Sequence, residues 1–523
     1  MINNLIYGFV CLCFATTCFA QDFEVENYNF KIQLNDKTDL INGEAVLKIN
    51  FLKPQKIILL DLVNQKEGEK KGMNVHSVSI GKHHFIFKQS ADKLRINLTE
   101  MQDIGTQVEL TIHYHGVPAD GLVIDINKFG DRTFFGDNWP NRAHHWLPCI
   151  DHPSDKATVS FTVVAPHHYS VIANGVKTEE TYIDSFQKMT TWVESTPIPT
   201  KVMVIGAARF AIEELGAVNE VPMSSWVYYQ NKTDGFNDYR VAMDIFSFFE
   251  EKLGNYSYEK LANVQSKTRY GGMENAGNIF YFENSVNGKA DQEKLIAHEI
   301  AHQWFGNSAT EADWRHIWLS EGFATYMTDV YLEEVRGKEA MAANLIEERA
   351  KVIRYAQNSK NPIIYDETSD LNKLLNPNSY QKGAWFLHML RKKVGDDNFW
   401  SAVLEYYNTY QNSIATTDDF KRIVEATSKQ DLDAFFNQWL YQVNHPKIKV
   451  NSSTKRGKTS ITVQQKQEEN FDFDLNLLLT LENGTTIEKT IPMDKKEVKV
   501  KFDMEITKIQ LDPKTELLFE ELK

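Results

Sequence analysis

The chain of 523 residues is 42% hydrophobic and 24% charged, the balance of an ordinary soluble globular protein. That length exceeds what one hydrophobic core supports, so about three domains are expected. A formal net charge of −14 at pH 7 with a pI near 5.6 argues against nucleic acid as a partner. No basic stripe, internal repeat or low-complexity tract is present.

Residues 1–20 differ in kind from the rest. Leu5 to Phe19 is almost wholly apolar, no charge precedes Asp22, and Cys18-Phe19-Ala20 ends in a small residue suited to cleavage. This reads as a secretory signal, too short to cross a membrane as a helix, although Met1-Ile2-Asn3-Asn4 lacks the usual basic residue. An uncleaved anchor is the alternative. The expected location is periplasmic or secreted. Removal of the signal takes Cys11, Cys13 and Cys18 with it and leaves Cys149, so the mature protein is expected to hold no intramolecular disulfide and one buried structural thiol. No later hydrophobic run is long enough to span a membrane.

Residues 21–209 read as an N-terminal β domain. Apolar and polar residues alternate over 45–49, 94–98, 108–112 and 159–163, with a further apolar run at 57–60 and turn residues between, the pattern of a β saddle or sandwich. A long loop from Gly136 to Pro153, rich in aromatic and polar groups, breaks the pattern, and long loops in compact domains are often functional.

Residues 210–445 read as a mixed α+β domain. An amphipathic helix is expected over 234–253, a strand around Asn263–Gln265, a glycine-rich loop at 271–277, a strand at 279–282 and a helix over 289–305. The last of these carries His298-Glu299-Ile300-Ala301-His302. Two histidines one helical turn apart share a face and reach one ion. A catalytic zinc takes three protein ligands and leaves a fourth position for water. Glu321, in the next helical segment, supplies the third, so one zinc is expected on His298, His302 and Glu321. Two imidazoles and a carboxylate favour zinc over other ions, though cobalt or manganese could occupy the site in vitro. Glu299 follows the first ligand too closely to bind the same ion and suits a general base. Further on, Thr416 to Asp419 has the form of a helix-capping box. Residues 446–523 return to period two, with a hairpin signal at Asn483-Gly484, and read as a small C-terminal β-sandwich.

His298-Glu299-x-x-His302 followed by Glu321, and preceded by Gly271-Gly272-Met273-Glu274-Asn275, resembles the aminopeptidase N family of gluzincin zinc metallopeptidases, to which leukotriene A4 hydrolase belongs. Pro148-Cys149-x-Asp151-x-Pro153-x-x-Lys156-Ala157 and Tyr380-Gln381-Lys382-Gly383-Ala384 resemble further motifs of that family, in the same order. The resemblance implies a saddle-like β domain, a thermolysin-like catalytic domain and a small β-sandwich. Many members add a C-terminal helical domain that covers the cavity; it does not occur in this sequence, so a more open cavity is expected unless dimerisation closes it. Tyr380 is then implied as the hydrogen-bond donor to the oxyanion. Glu274 is implied as the carboxylate that binds the free α-ammonium. Gly271, Gly272, Met273 and Asn275 are implied as the loop along which the substrate lies.

One departure stands out. Asp137 and Trp139 occupy positions where many members carry Gln and then Gln or Glu, and His144 replaces a usual Arg. Asp137 is therefore expected to join Glu274 on the amine, with Trp139 shaping the first side-chain pocket. The second glycine of the loop, Gly272, occurs in leukotriene A4 hydrolase-like members but does not by itself assign epoxide chemistry. The expected activity is a zinc aminopeptidase acting on peptides with a free N-terminus. The alternatives are a zinc endopeptidase or epoxide hydrolase on the same scaffold, or an inactive peptide-binding module. The sequence leaves the oligomeric state and the preferred N-terminal residue open.

Overall fold

The computed structural model describes residues 22–367 and 369–523. The expected signal at residues 1–20 lies outside them. Three β-rich or mixed regions follow one another along the chain, as the patterning implies. The first is built on an eight-stranded sheet in the order Val176–Tyr182, Gln187–Pro199, Lys156–Pro166, Phe23–Gln33, Ile41–Phe51, Gln107–Val117, Gly72–Ile80 and His83–His84. Phe23–Gln33 pairs in parallel with Lys156–Pro166, and the alternation read from 45–49, 108–112 and 159–163 puts Leu47, Leu110 and Phe161 into the core. A three-stranded and a four-stranded sheet complete this region. Cys149 is a buried free thiol, as expected.

The central region opens on a five-stranded sheet in which Gly272–Met273 is an edge strand, hydrogen-bonded on one side only, to Asn278–Tyr281. The stretch read as one helix over 234–253 is two, α1 (Lys232–Tyr239) and α2 (Ala242–Leu253). The apolar period runs through both. At the junction, however, Arg240 N and Met243 N bond to carbonyls three residues back, which tightens the turn and ends the first helix. The next helix, α3 (Glu293–Ala301), is also shorter than the 289–305 expected. Ahead of it the Asp238 carboxylate accepts the backbone N–H of Asn287, Gly288 and Ala290, each at 2.8 Å, and so holds that segment as a loop. Behind it the chain turns at Gly306, where φ is +114° and a Cβ would stand 2.2 Å from Ser320 Oγ.

Helix α4 (Trp318–Arg336) is buried without a break from Trp318 to Leu332, the mark of a helix enclosed on every face. It is followed by α5 (Lys338–Ala356), a π-helical turn at Asn378–Lys382 and α6 (Gly383–Val394). Gly322 of α4 meets Gly383 at the start of α6 closely enough that a Cβ on Gly322 would lie 3.0 Å from the Gly383 Cα. This contact lets the segment carrying Glu321 pack against the one carrying Tyr380. Further along, the capping box read at Thr416 and Asp419 is present in full. The C-terminal region packs a four-stranded sheet over a three-stranded one, with Asn483-Gly484 in the turn between Asp474–Leu481 and Thr486–Pro492. Its Leu475, Leu477 and Phe519 join one apolar core with the helices of the central region, and the N-terminal strands form a second. Among the described residues no helix is long and apolar enough to cross a membrane.

The Gly322–Gly383 contact is backbone against backbone and has no side chain to yield. Gly322→Val is therefore expected to cost about 1–3 kcal/mol of stability, read as a lower thermal unfolding midpoint.

Candidate active site

Helix α3 places His298 and His302 on one face, with their Nε2 atoms 3.0 Å apart. Glu321, in the first turn of α4, brings Oε2 to 3.4 Å from His298 Nε2 and 3.2 Å from His302 Nε2. Three donor atoms with edges of this length suit one tetrahedral ion, since zinc about 2.0–2.1 Å from each would set them roughly 3.3 Å apart. The surroundings fit as well. His302 Nδ1 lies 3.1 Å from the Phe305 carbonyl, which takes the ring N–H and leaves Nε2 as the lone-pair donor. Glu321 Oε2 is buried and makes no hydrogen bond of good geometry, the state of an acceptor awaiting a cation. Burial alone would raise the Glu321 pKa, but the His302 and His298 imidazoles override it and hold the carboxyl well below its usual range.

Glu299 projects from α3 into the same cleft and rests against the backbone of Gly272, where a Cβ would come within 2.2 Å of its Oε1. Burial pushes the Glu299 pKa well above the usual carboxylate value; His302 opposes this, and the neighbouring Glu274 and Glu321 add to it. That is the direction a proton-transferring carboxylate needs. Glu274, Glu299 and His302 offer ligand atoms all within 4.8 Å of one another, so the two carboxylates face a common space. Glu274 is buried, and its Oε1 has no partner. Tyr380 stacks on His298, ring centroids 5.8 Å apart, at the rim of the same space. Burial, with the Glu321 and Glu274 charges, keeps its phenol protonated and so a donor.

The cleft, about 270 Å³, is lined by Trp139, Tyr270, Gly271, Gly272, Met273, Glu274, His298, Glu299, His302, Glu321 and Tyr380, with Leu295 and Leu375. It gathers nearly every residue singled out from the sequence. Two fall outside. Asn275 is fully buried and does not line it. Asp137 is the larger departure from expectation: its carboxylate is fully buried, pairs with Arg142 Nη2 at 2.6 Å and accepts the Arg269 N–H at 3.1 Å. It anchors the approach to the glycine loop and offers nothing to a ligand in the cleft.

Several residues with no local signature in the sequence hold the site together. Gln303 Nε2 and Asn307 Nδ2, just past the second histidine, donate to the Glu274 carbonyl at 2.8 and 2.5 Å, tying the metal helix to the glycine loop. From the N-terminal domain, Asn174 Nδ2 donates to the Ala276 carbonyl at 2.8 Å. Lys156 Nζ donates to the carbonyls of Asn307 and Ser308 at 2.9 and 2.6 Å. Of these, only Lys156 lay within a recognisable motif.

Two imidazoles and a carboxylate that could hold one ion, with a further buried carboxylate beside them in one cleft, are the donor set of a zinc-hydrolase type of centre. Residues 24–202 match the Peptidase M1 N-terminal domain and residues 238–439 match the Peptidase family M1 domain, so the chain belongs to peptidase family M1. It is 26% identical over 481 residues to the probable aminopeptidase 2 of Sulfurisphaera tokodaii, covering 87% of this chain and 60% of that protein. It is 27% identical over 335 residues to the glutamyl aminopeptidase of Homo sapiens, covering 60% of this chain and 34% of that protein. The chain thus matches less than two thirds of the length of these curated relatives. An M1 zinc metallopeptidase from Deinococcus radiodurans shares the fold, with a TM-score of 0.69 at 24% identity over 82% of this chain and 96% of that one.

The geometry assigns Asp137 to structure. Asp137→Ala removes the shortest ion pair of the buried Arg142 and leaves it the longer one to Asp120 at 3.5 Å, at an expected cost of about 1–3 kcal/mol, read as a fall in the thermal midpoint. Any discrimination between free and N-acetylated amines should persist at a temperature where the variant is folded.

Proposed function

We propose that this chain is a zinc-dependent aminopeptidase that removes residues from peptides with a free N-terminus. The observation that carries the reading is the unpartnered Glu274 carboxylate, buried beside Glu299 in the cleft that holds the three-ligand set. A buried carboxylate without a partner is costly unless a cation completes it. A substrate α-ammonium at Glu274 would do so, and would hold the first peptide bond one residue away, within reach of Glu299 and Tyr380.

His298, His302 and Glu321 would hold the zinc, which supplies Lewis acidity toward a carbonyl and a water. Glu299 takes the proton from the attacking water and passes it to the departing amine, a role worth roughly 10²–10⁴ in rate. Tyr380 donates its phenolic hydrogen to the oxygen on which charge develops. The edge strand Gly272–Met273, with its outer hydrogen-bonding side free of strand partners, suits an extended substrate backbone. The contact between Gly272 and Glu299 suggests why a side chain is absent there: a methyl group would displace the base. The apolar stretch from Leu5 to Phe19 supports export, to the periplasm or outside the cell.

Fluorogenic aminoacyl amides, each paired with its N-acetylated form and assayed with and without a chelator, test the reading. Chelator-sensitive cleavage of the free-amine forms alone is expected. Equal cleavage of both forms would instead indicate an endopeptidase with no amine clamp, and no cleavage by zinc-loaded protein would indicate a binding module. Glu299→Gln should keep its zinc, by metal analysis, and lose turnover by a factor of about 10²–10⁴.

A further inference from the structure

We propose that the pocket for the first side chain accepts apolar and aromatic N-terminal residues and rejects acidic ones, with Trp139 and Leu375 setting that choice. The proposal rests on the aminopeptidase reading above and names its substrate class.

If Glu274 holds the amine and Tyr380 and Glu299 face the scissile carbonyl, the first side chain projects from the carbon between them, into the remainder of the same cleft. That remainder is Trp139, Tyr270, Met273, Leu295 and Leu375. All five present rings, methyl groups or a thioether. No lysine or arginine lines the cleft, and its three carboxylates, Glu274, Glu299 and Glu321, are committed to the amine, the proton transfer and the metal.

The nearest cation is already spent. Arg142 donates Nη2 to Asp137 at 2.6 Å and Nε to the Trp139 carbonyl at 2.7 Å, and it is almost wholly buried. Arg269, the next in line, pairs with Asp120 at 2.6 Å. Trp139 is held from two sides, its ring centroid 6.2 Å from that of Tyr270 and 5.9 Å from that of Trp314, both in edge-on geometry. Tyr270 is tied in turn, its hydroxyl donating to Asn372 at 3.1 Å. The wall is therefore braced by aromatic contacts, and both nearby arginines are paired with carboxylates outside it.

A side-chain carboxylate entering this space would shed its water and find no lysine or arginine in the lining to replace it, only the indole Nε1–H of Trp139, which is buried without a partner. Leu, Met or Phe would exchange water for apolar contact. Several curated relatives are named for glutamyl cleavage, and on this physical ground their names do not describe this pocket.

The test is kcat/KM of the zinc-loaded full chain on Leu, Met, Phe, Glu and Asp 7-amido-4-methylcoumarins, with N-acetyl-Leu as control. Leu, Met and Phe are expected to exceed Glu and Asp by about a hundredfold or more. Glu or Asp within about threefold of Leu, with N-acetyl-Leu uncut, would overturn the pocket assignment and leave the aminopeptidase reading standing. Equal cleavage of Leu and N-acetyl-Leu would remove that reading and this proposal with it.

Leu375→Lys puts an ammonium into the wall at a partly exposed position that tolerates it. It should raise the Glu-to-Leu ratio about tenfold or more; an unchanged ratio in the zinc-loaded variant would overturn the placement of Leu375. Trp139→Gln, which puts a polar amide in place of the indole, should raise the Glu-to-Leu ratio about tenfold. No change in that ratio would overturn the role of Trp139.

Discussion

Three carboxylates, Glu274, Glu299 and Glu321, are buried around a cleft of about 270 Å³. Anions this close repel one another, and each needs a cation or a proton to answer it. Glu321 has two imidazoles and a place for zinc. Glu299 has a raised pKa, the response of a carboxyl to burial beside like charges. Glu274 has no hydrogen-bond partner among the described residues, and this one unanswered carboxylate is what the proposed amine-binding role would complete.

The rest of the molecule keeps these charges from moving apart. Backbone-to-backbone packing at Gly322 and Gly383 draws the helix bearing Glu321 against the π-turn bearing Tyr380. Gln303 and Asn307 tie the Glu274 carbonyl to the segment that follows the metal helix. The N-terminal domain reaches in with Asn174 and Lys156, whose donors end on backbone carbonyls of the same two segments. Gln303, Asn307 and Asn174 do this with neutral amides, and burial lowers the Lys156 pKa to about 7. The N-terminal domain thereby serves as a brace for the catalytic loops, and its own loop supplies Trp139 to the cleft wall.

Family M1 membership agrees with the candidate ligand set and the flanking motifs, and Asp137 and Trp139 are where the sequence departs from the pattern it resembles. The structure gives those departures a common logic. An acidic residue at 137 neutralises the buried Arg142, and Arg142 in turn holds the Trp139 backbone. A glutamine or glutamate at 139 would present a polar group to the cleft; the indole presents an apolar face braced by Tyr270 and Trp314. What looks in the sequence like a displaced amine-binding carboxylate is, in space, the counter-ion of a buried arginine.

Much of the fold was legible in the chain because its signals are local. Period-two alternation marked the strands around Leu47, Leu110 and Phe161; Thr416 and Asp419 announced a helix start; and Asn483-Gly484 announced a hairpin. The closeness of His298 and His302, candidate ligands of one ion, was legible for the same reason, since one helical turn sets their spacing. Local signals misplaced the helix ends, because Asp238 and Gly306 stop α3 through contacts with segments elsewhere in the chain, which no periodicity records. The sequence by itself determined which elements form and which chemistry the metal helix carries. Only the tertiary structure decided that Asp137 turns to Arg142, that Asn275 leaves the cleft, and that Trp139, Tyr270 and Leu375 meet in one wall. Those outcomes depend on charge pairing and packing between residues far apart in the chain, and such pairing has no period to read.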